Sequence, residues 1–166
     1  MDFGNWKRLI LNGVLILTIF LAVTAWQGQN LISKQTPAPS FRLPDLSGQL
    51  VELEDLRGRR VLLYFFAPWC KICDLSISNL NWVRKLRGEE SVSIFAVALS
   101  YKELHSVEAF LERNALAVPV LLGTPELLNS YRIRAFPTVY ALNESGNIDG
   151  STVGYSSTIG LWWRTI

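Results

Sequence analysis

The sequence has few side chains that form disulfides or bind transition metals. Its 166 residues include two cysteines, one histidine (His105) and one methionine (Met1). Because both cysteines belong to a single Cys70-x-x-Cys73 motif, a framework of several structural disulfides is excluded, and so are zinc sites that require two cysteine pairs or two histidines. The formal net charge is only +2, which gives no sign of the basic patch of a nucleic-acid-binding protein.

An uncharged apolar stretch lies near the N-terminus. Residues 9–26 form a segment of about 18 positions, the lower limit for a helix that spans a bilayer, and Lys7 and Arg8 precede it. The positive-inside tendency then places residues 1–8 in the cytoplasm and exports the rest. A signal peptide cleaved after Val23-Thr24-Ala25 is the main alternative, and a buried core helix is a lesser one. We therefore expect one transmembrane helix, in contact with the lipid bilayer, ahead of a folded domain.

A polar segment separates this stretch from the predicted domain. Residues 27–40 contain Pro37 and Pro39, which is typical of a linker. The domain is expected over residues 41–166, beginning with a small β-hairpin and continuing with alternating strand-like and helix-like patterns. This order predicts an α/β fold with a mixed central sheet flanked by helices. The predicted strands after the hairpin are residues 61–66, 92–98, 118–122, 138–142 and 148–154, and the predicted helices are residues 74–87, 106–114, 125–131 and 157–166.

The two cysteines fall at a predicted strand-to-helix junction. The apolar residues 61–66 precede the motif as a buried strand, and residues 74–87 follow it as a helix. A helix N-terminus offers free backbone N–H groups and the positive end of the helix dipole, so a thiolate is stabilised there. Lys71 adds positive potential beside Cys70. Cys-x-x-Cys in this setting is the pattern of a redox-active disulfide, here Cys70 and Cys73. The apolar positions at helical spacing are Leu75, Ile77, Leu80, Val83 and Leu86.

Two stretches resemble the thioredoxin-fold proteins. The first is Phe65-Phe66-Ala67-Pro68-Trp69-Cys70-Lys71-Ile72-Cys73, and the second is Phe136-Pro137-Thr138. Residues 37–45, with Gly48, are similar to the N-terminal extension of exported, membrane-tethered members. Residues 61–65 and Leu161-Trp162-Trp163-Arg164 resemble, more narrowly, the suppressor-of-copper-sensitivity protein D group. The resemblance implies a thioredoxin fold with an N-terminal hairpin extension.

The resemblance also assigns roles to these residues. It implies that Cys70 is the exposed nucleophile that attacks a substrate disulfide and that Cys73 is the more buried thiol that resolves the mixed disulfide. Pro137 would follow a cis peptide bond and lie against the cysteines, where the adjacent backbone at Phe136 pairs with a bound peptide. Trp69 would flank the site and complete the substrate-binding residues.

Two positions depart from the family pattern. Tyr64 stands where many thioredoxins carry a buried Asp, and Ser76 stands where some tethered relatives carry a Glu. Such a carboxylate helps to take the proton from the resolving thiol, and no equivalent is evident in this sequence. Water, or a carboxylate that the fold brings near (Glu52, Glu54 or Glu108), are the alternatives.

The sequence therefore predicts a thiol–disulfide oxidoreductase whose dithiol needs no organic cofactor and no metal. The apolar stretch and its flanking charges predict a single-pass membrane protein with a cytoplasmic N-terminus and an exported catalytic domain. The resemblance implies a bacterial protein, so the membrane would be the inner membrane and the domain would be periplasmic. We expect reduction to be the favoured direction, because a compartment that forms disulfides needs a tethered reductant. The expected partners are proteins that carry disulfides and a membrane thiol–disulfide protein that donates electrons.

Two other functions stay open at this stage. The dithiol would act as a disulfide oxidant or isomerase if its potential were high. A non-enzymatic copper-tolerance module would instead use the two thiolates to hold Cu(I), a soft ion that sulfur ligands favour. Outside the motif, His105 is expected at the surface or at a helix cap, and Trp162 and Trp163 are expected to cover the core.

Overall fold

The computed structural model describes residues 3–28, 31–88 and 90–166 of the chain. Residues 1 and 2 of the predicted cytoplasmic segment and residues 29 and 30 of the predicted linker lie outside the described residues. The strands are β1 (Arg42–Pro44), β2 (Leu50–Glu52), β3 (Arg60–Phe66), β4 (Val92–Ala98), β5 (Val120–Leu122), β6 (Thr138–Leu142) and β7 (Ile148–Val153). The helices are α1 (Phe3–Gly28), α2 (Lys71–Ser76), α3 (Asn79–Arg87), α4 (Leu104–Arg113), α5 (Pro125–Ser130) and α6 (Thr158–Trp163).

Helix α1 belongs to the first of two units, Met1–Asn30, and the other elements belong to the second, Leu31–Ile166. It includes the whole apolar stretch of residues 9–26. Within the described parts of the chain, no helix combines the length and the apolar character needed to cross a membrane. The transmembrane anchor predicted for residues 9–26 is therefore not confirmed.

The second unit begins earlier than the predicted domain. Leu31 and Ile32 are buried in an apolar cluster of that unit. The Gln35 N–H donates to Ile148 O at 2.7 Å, which ties this segment to the start of β7. The linker predicted over residues 27–40 was therefore too long. Its prolines and polar residues indicated a linker, although two of its side chains belong to the core.

Five strands form the central sheet in the order β5-β4-β3-β6-β7. Strand β4 is parallel to β3 and β5, whereas β6 is antiparallel to β3 and β7. Strands β1 and β2 pair as a separate antiparallel hairpin, and Asp45 at its turn forms a β-bridge with Leu121 of β5. The mixed sheet, the flanking helices and the N-terminal hairpin confirm the predicted architecture.

The side chains of β3 divide the core into two clusters. Tyr64 and its even-numbered neighbours on β3 join a cluster with residues of α2, α3, α4 and α6, and both cysteines belong to it. Phe65 and its odd-numbered neighbours join a second cluster with the hairpin and α5. Because successive side chains of a strand point to opposite faces, the two clusters lie on opposite sides of the sheet. The central strand is buried on both faces, as its apolar sequence predicted.

The helix after the cysteines is broken into α2 and α3 by a two-residue turn. The sequence predicted one helix over residues 74–87. Ser76 Oγ donates to the Ile72 carbonyl at 2.9 Å, and such bonds back to the preceding turn bend helices. Leu75 and Leu86 are exposed, although the sequence placed them on the apolar face of a single helix. The other three positions of that face are buried.

The C-terminal tryptophans differ in exposure. Trp162 packs partly buried against the cluster that contains the cysteines, whereas Trp163 is 72% exposed. Adjacent residues on a helix point about 100° apart, so only one of the two faces the core. The expectation that both cover the core was wrong for Trp163. His105 is exposed, as expected, with its Nδ1 3.9 Å from Glu108 Oε2.

Candidate active site

The two cysteines lie where β3 leads into α2. A turn carries the chain out of the sheet, with the Cys70 N–H donating to Ala67 O at 3.0 Å. Cys70 is the N-cap of α2, and its Sγ accepts a hydrogen bond from the Cys73 N–H at 3.2 Å. A free N–H of the first helical turn thus finds its acceptor in the cysteine sulfur. The predicted strand-to-helix junction is confirmed, with the helix beginning at Lys71.

Both cysteines are free thiols, and their exposure differs. Cys70 keeps 7% of its surface accessible and Cys73 keeps 0%. The order agrees with the roles that the resemblance implied, although Cys70 is more enclosed than an exposed nucleophile was expected to be. Because exchange depends on access to the attacking sulfur, this difference supports Cys70 as the nucleophile and Cys73 as the resolving thiol.

Cys73 is held in its protonated form. Burial raises the pKa of the Cys73 thiol far above its ordinary value, and a hydrogen bond to the Cys70 side chain raises it further. The negative charges of Cys70 and Asp74 act in the same direction, while a hydrogen bond from the Ala67 backbone opposes them. Loss of the Cys73 proton in a resolving step therefore requires neighbouring groups that accept the proton or stabilise the thiolate.

An aromatic contact joins the cysteine motif to the cis-proline loop. The peptide bond between Phe136 and Pro137 is cis, as the resemblance implied. Trp69, directly before Cys70, contacts Phe136 edge to face with a centroid distance of 5.8 Å, and its Nε1–H donates to Ser100 O at 2.9 Å. Phe136 in turn packs against the cluster that contains both cysteines. Trp69 is 65% exposed, so the site has an accessible aromatic rim.

Asp74 is a site neighbour that the sequence reasoning did not single out. Its Oδ1 lies 3.0 Å from Arg113 Nη2 and 2.9 Å from Asn114 Nδ2, at the end of α4. Burial acts to raise the pKa of Asp74, but these hydrogen bonds and the charges of Arg113 and Lys71 outweigh it and hold the pKa below its ordinary value. Its position directly after Cys73 was the available signal.

Lys71 occupies the first position of α2 and is exposed. Its charge acts on Asp74. The effect of Lys71 on the Cys70 thiolate stays a prediction.

The two positions that depart from the family pattern contact each other. Tyr64 Oη lies 2.7 Å from Ser76 Oγ, and both residues are fully buried. Ser76 follows Cys73 by one helical turn on α2. The sequence marked each position separately but gave no signal of the contact, because it forms only when α2 packs against β3.

The three carboxylates considered as proton acceptors lie at the surface. The side chains of Glu52, Glu54 and Glu108 are at least 45% exposed, whereas Cys73 is fully buried. Their ion-pair partners are Arg42 for Glu52 at 2.9 Å, Arg57 for Glu54 at 2.6 Å and His105 for Glu108 at 3.9 Å. The expectation that one of them serves Cys73 finds no support in these positions.

Comparison with known protein families shows the family to which this chain belongs. Residues 35–151 match the AhpC/TSA family, which covers most of the second unit. The chain belongs to the AhpC/TSA family. Both cysteines and the cis-proline lie inside the matched region.

Relatives of this AhpC/TSA-family chain include a named thiol-disulfide oxidoreductase and a thiol:disulfide interchange protein. The chain is 30% identical to the thiol-disulfide oxidoreductase ResA of Geobacillus kaustophilus over 149 residues, which are 86% of this chain and 85% of that protein. It is 31% identical to the thioredoxin-like protein YneN of Bacillus subtilis over 151 residues, 84% of this chain and 87% of that protein. A thiol:disulfide interchange protein of the thioredoxin family from Chlorobium tepidum TLS superposes with a TM-score of 0.70 and 26% identity, covering 81% of this chain and 96% of that one.

These likenesses show a thioredoxin-like thiol–disulfide oxidoreductase with the thioredoxin fold. The narrower resemblance to the suppressor-of-copper-sensitivity protein D group stays a prediction.

Proposed function

We propose that this protein uses its Cys70–Cys73 dithiol to reduce disulfides in exported proteins. The observation that carries the proposal is the arrangement of the two thiols: Cys70 caps α2 with part of its surface accessible, and Cys73 lies fully buried beside it. This arrangement supports thiol–disulfide exchange through Cys70. Reduction is the proposed direction, because a compartment that forms disulfides needs a reductant.

The reduction consists of two thiol–disulfide exchanges. The Cys70 thiolate attacks one sulfur of the substrate disulfide, and the other substrate sulfur leaves with the bonding electrons and takes a proton from water. Cys73 then loses its proton and attacks Cys70 Sγ. The Cys70–Cys73 disulfide forms, the second substrate sulfur leaves as a thiolate, and that thiolate takes up a proton equivalent to the one that Cys73 released. Two electrons pass to the substrate, and the pair ends oxidised.

The substrate-binding surface is proposed to include the aromatic rim beside Cys70. Trp69 presents an exposed ring that Phe136 supports from the side. An extended peptide that carries the disulfide would lie across Trp69 and pair with the backbone beside Pro137. The contact between the two rings supports this proposal.

The oxidised pair requires an electron donor, for which we propose a thiol–disulfide protein of the bacterial inner membrane. We place the catalytic domain outside the cytoplasm, on the periplasmic side. The support for this location is the pattern of Lys7 and Arg8 ahead of the uncharged residues 9–26. A reporter enzyme that is active only outside the cytoplasm, fused after Ile166, should give activity. Activity of only a cytoplasmic reporter at that position would contradict the location.

Trapping of a mixed disulfide tests the proposed roles of the two cysteines. With a peptide disulfide as the probe, Cys73→Ser should accumulate a covalent adduct through Cys70, detected by mass spectrometry. The matched variant Cys70→Ser should accumulate none. An adduct only on Cys70→Ser would reverse the roles, and failure of the reduced protein to convert the peptide disulfide to thiols would refute the reductase proposal. Cu(I) binding by the two thiolates stays a prediction.

A further inference from the structure

The buried hydroxyl pair of Tyr64 and Ser76 has no part in the two exchanges described above. Ser76 Oγ donates its proton to the Ile72 carbonyl at 2.9 Å. Because a serine hydroxyl has a single proton, Tyr64 must be the donor in the 2.7 Å bond between Tyr64 and Ser76. While both cysteines are protonated, the Tyr64 hydroxyl therefore donates its hydrogen bond to Ser76.

This pair lies beside the resolving thiol. Ser76 and Cys73 are three positions apart on α2, so they share a helix face with their Cβ atoms about 5–6 Å apart. Tyr64 and Cys73 also belong to the same buried cluster. Burial raises the pKa of Tyr64, and the charges of Cys73 and Cys70 act in the same direction, whereas the hydrogen bond with Ser76 opposes them.

We propose that Tyr64 is a positioning residue for the resolving step, in which its hydroxyl turns from Ser76 to the Cys73 thiolate. Ser76 is the acceptor that holds this hydroxyl while Cys73 is protonated. The proposal rests on the proposed function, because it concerns the thiol that resolves the mixed disulfide.

The step balances without ionisation of Tyr64. Cys73 releases its proton, its sulfur bonds to Cys70 Sγ, and the bond between Cys70 and the substrate sulfur breaks. The departing thiolate takes up a proton, so Tyr64 stays neutral and supplies only a hydrogen bond. A charge-assisted hydrogen bond of this kind is about twice as strong as a neutral one.

Among the residues that the structure describes, the charged groups that act on Cys73 are Cys70 and Asp74. Asp74 is paired with Arg113 of α4 at 3.0 Å. Substitution of Tyr64 or Ser76 leaves these groups unchanged, so the effect of the hydroxyl pair can be measured separately.

The test is the pKa of Cys73 in the full chain, followed by nuclear magnetic resonance of carbon-13 at its Cβ. A Cys70→Ser background leaves Cys73 as the only thiol, since the chain has two cysteines. Tyr64→Phe should raise the pKa of Cys73 by about one unit, because the thiolate loses a hydrogen bond. Ser76→Ala should lower it, because the Tyr64 hydroxyl loses its resting acceptor and turns to Cys73.

The opposite signs separate this proposal from a merely structural role. Tyr131→Phe is the matched control, because it removes a buried hydroxyl that donates to Pro39 O at 2.7 Å from the cluster on the opposite face of the sheet. It should leave the pKa of Cys73 unchanged. Shifts of the same sign for Tyr64→Phe and Ser76→Ala, no shift in either, or an equal shift in Tyr131→Phe would overturn the proposal.

Two further measurements distinguish failure of this proposal from misfolding of a variant and from failure of the proposed function. If Tyr64→Phe does not fold, Ser76→Ala decides alone: a lowered pKa of Cys73 supports the proposal, and an unchanged or raised pKa overturns it. The Cys70→Ser background carries out no exchange, so failure of the wild type to reduce a peptide disulfide would refute the proposed function without changing this result. In the otherwise unmodified chain, Tyr64→Phe should slow resolution of the mixed disulfide about tenfold and leave the first exchange unchanged.

Discussion

Cys70 and Cys73 are three positions apart, and the fold gives them different surroundings. Cys70 caps α2 and keeps a small accessible surface, while Cys73 lies one turn deeper with none. The junction therefore leaves part of Cys70 accessible and encloses Cys73. The proposed division of roles follows from the positions of the two cysteines on α2.

At this residue scale, Trp69 offers a test of the substrate-binding rim. Trp69→Ala should raise KM for a peptide disulfide several-fold with little change in kcat, because the substitution removes binding surface and leaves both thiols in place. The free energy of unfolding should change by no more than about 1 kcal/mol, since the ring is 65% exposed. Steady-state kinetics and urea unfolding measure the two effects.

Trp163→Ala is the matched control for that experiment, because Trp163 is an exposed tryptophan (72%) on α6. Its KM should equal that of the wild type. An equal rise of KM in both variants would contradict the assignment of Trp69 to the substrate site.

The sequence could identify the reacting residues because their signals are local. Cys70 and Cys73 share one motif, and the Phe136-Pro137-Thr138 stretch marks the cis-proline loop through its resemblance. The bond between Tyr64 and Ser76 could not be predicted in the same way, because a strand and a helix must pack before the two hydroxyls meet.

At the scale of elements, strands were easier to predict than helix boundaries. Strand β6 matches its predicted range of residues 138–142, because a fully buried strand is an uninterrupted apolar run with clear ends. The break between α2 and α3 was missed, because no glycine or proline marks it and the bond from Ser76 to Ile72 at this point has no signal in the sequence. The start of the domain was missed because Leu31 and Ile32 are two apolar residues within a polar segment.

The contact between α2 and α4 gives a prediction about stability and pH. Asp74→Ala should lower the free energy of unfolding by about 1–2 kcal/mol at pH 7, because it removes charged hydrogen bonds to Arg113 and Asn114. The folded state lowers the pKa of Asp74 from its ordinary 3.8, so this contribution is complete above that value and is lost as the pH falls through the lower folded pKa. Urea unfolding between pH 7 and pH 3 measures it.

Glu54→Ala provides the comparison, because the ion pair of Glu54 with Arg57 is exposed on both sides. Its effect should stay within about 0.5 kcal/mol at every pH. A cost of Asp74→Ala that persisted unchanged in acid would show that the hydrogen bonds of the carboxylate are not its source.

The N-terminal segment of the second unit gives another prediction at this scale. A chain that starts at Phe41 should unfold with a free energy at least about 3 kcal/mol lower than a chain that starts at Leu31, because it loses the burial of Leu31 and Ile32. Thermal and urea unfolding of the two truncated chains measure the difference. Equal stabilities would mean that residues 31–40 act as the linker that the sequence predicted.

At the scale of the whole molecule, stability should depend on pH through Cys73. The folded state raises the pKa of Cys73 above the ordinary value of 9.0. The contribution of the protonated Cys73 to the free energy of unfolding is therefore complete below pH 9.0. It decreases as the pH rises above that value, by at most about 1.4 kcal/mol per pH unit. Comparison of Cys70→Ser with Cys70→Ser/Cys73→Ser by urea unfolding from pH 7 to pH 10 isolates this effect. A difference that grew with pH would contradict the account of Cys73.

The central proposal is that the Cys70–Cys73 dithiol makes this thioredoxin-fold protein a reductant. The most direct test is the reduction potential of the full chain equilibrated against glutathione, with the fraction of Cys70–Cys73 disulfide measured at each ratio. For a reductant we expect a value near the reducing end of the class, about −270 mV. A value near about −120 mV, typical of strong oxidants, would contradict it and make disulfide introduction the reaction that this site performs.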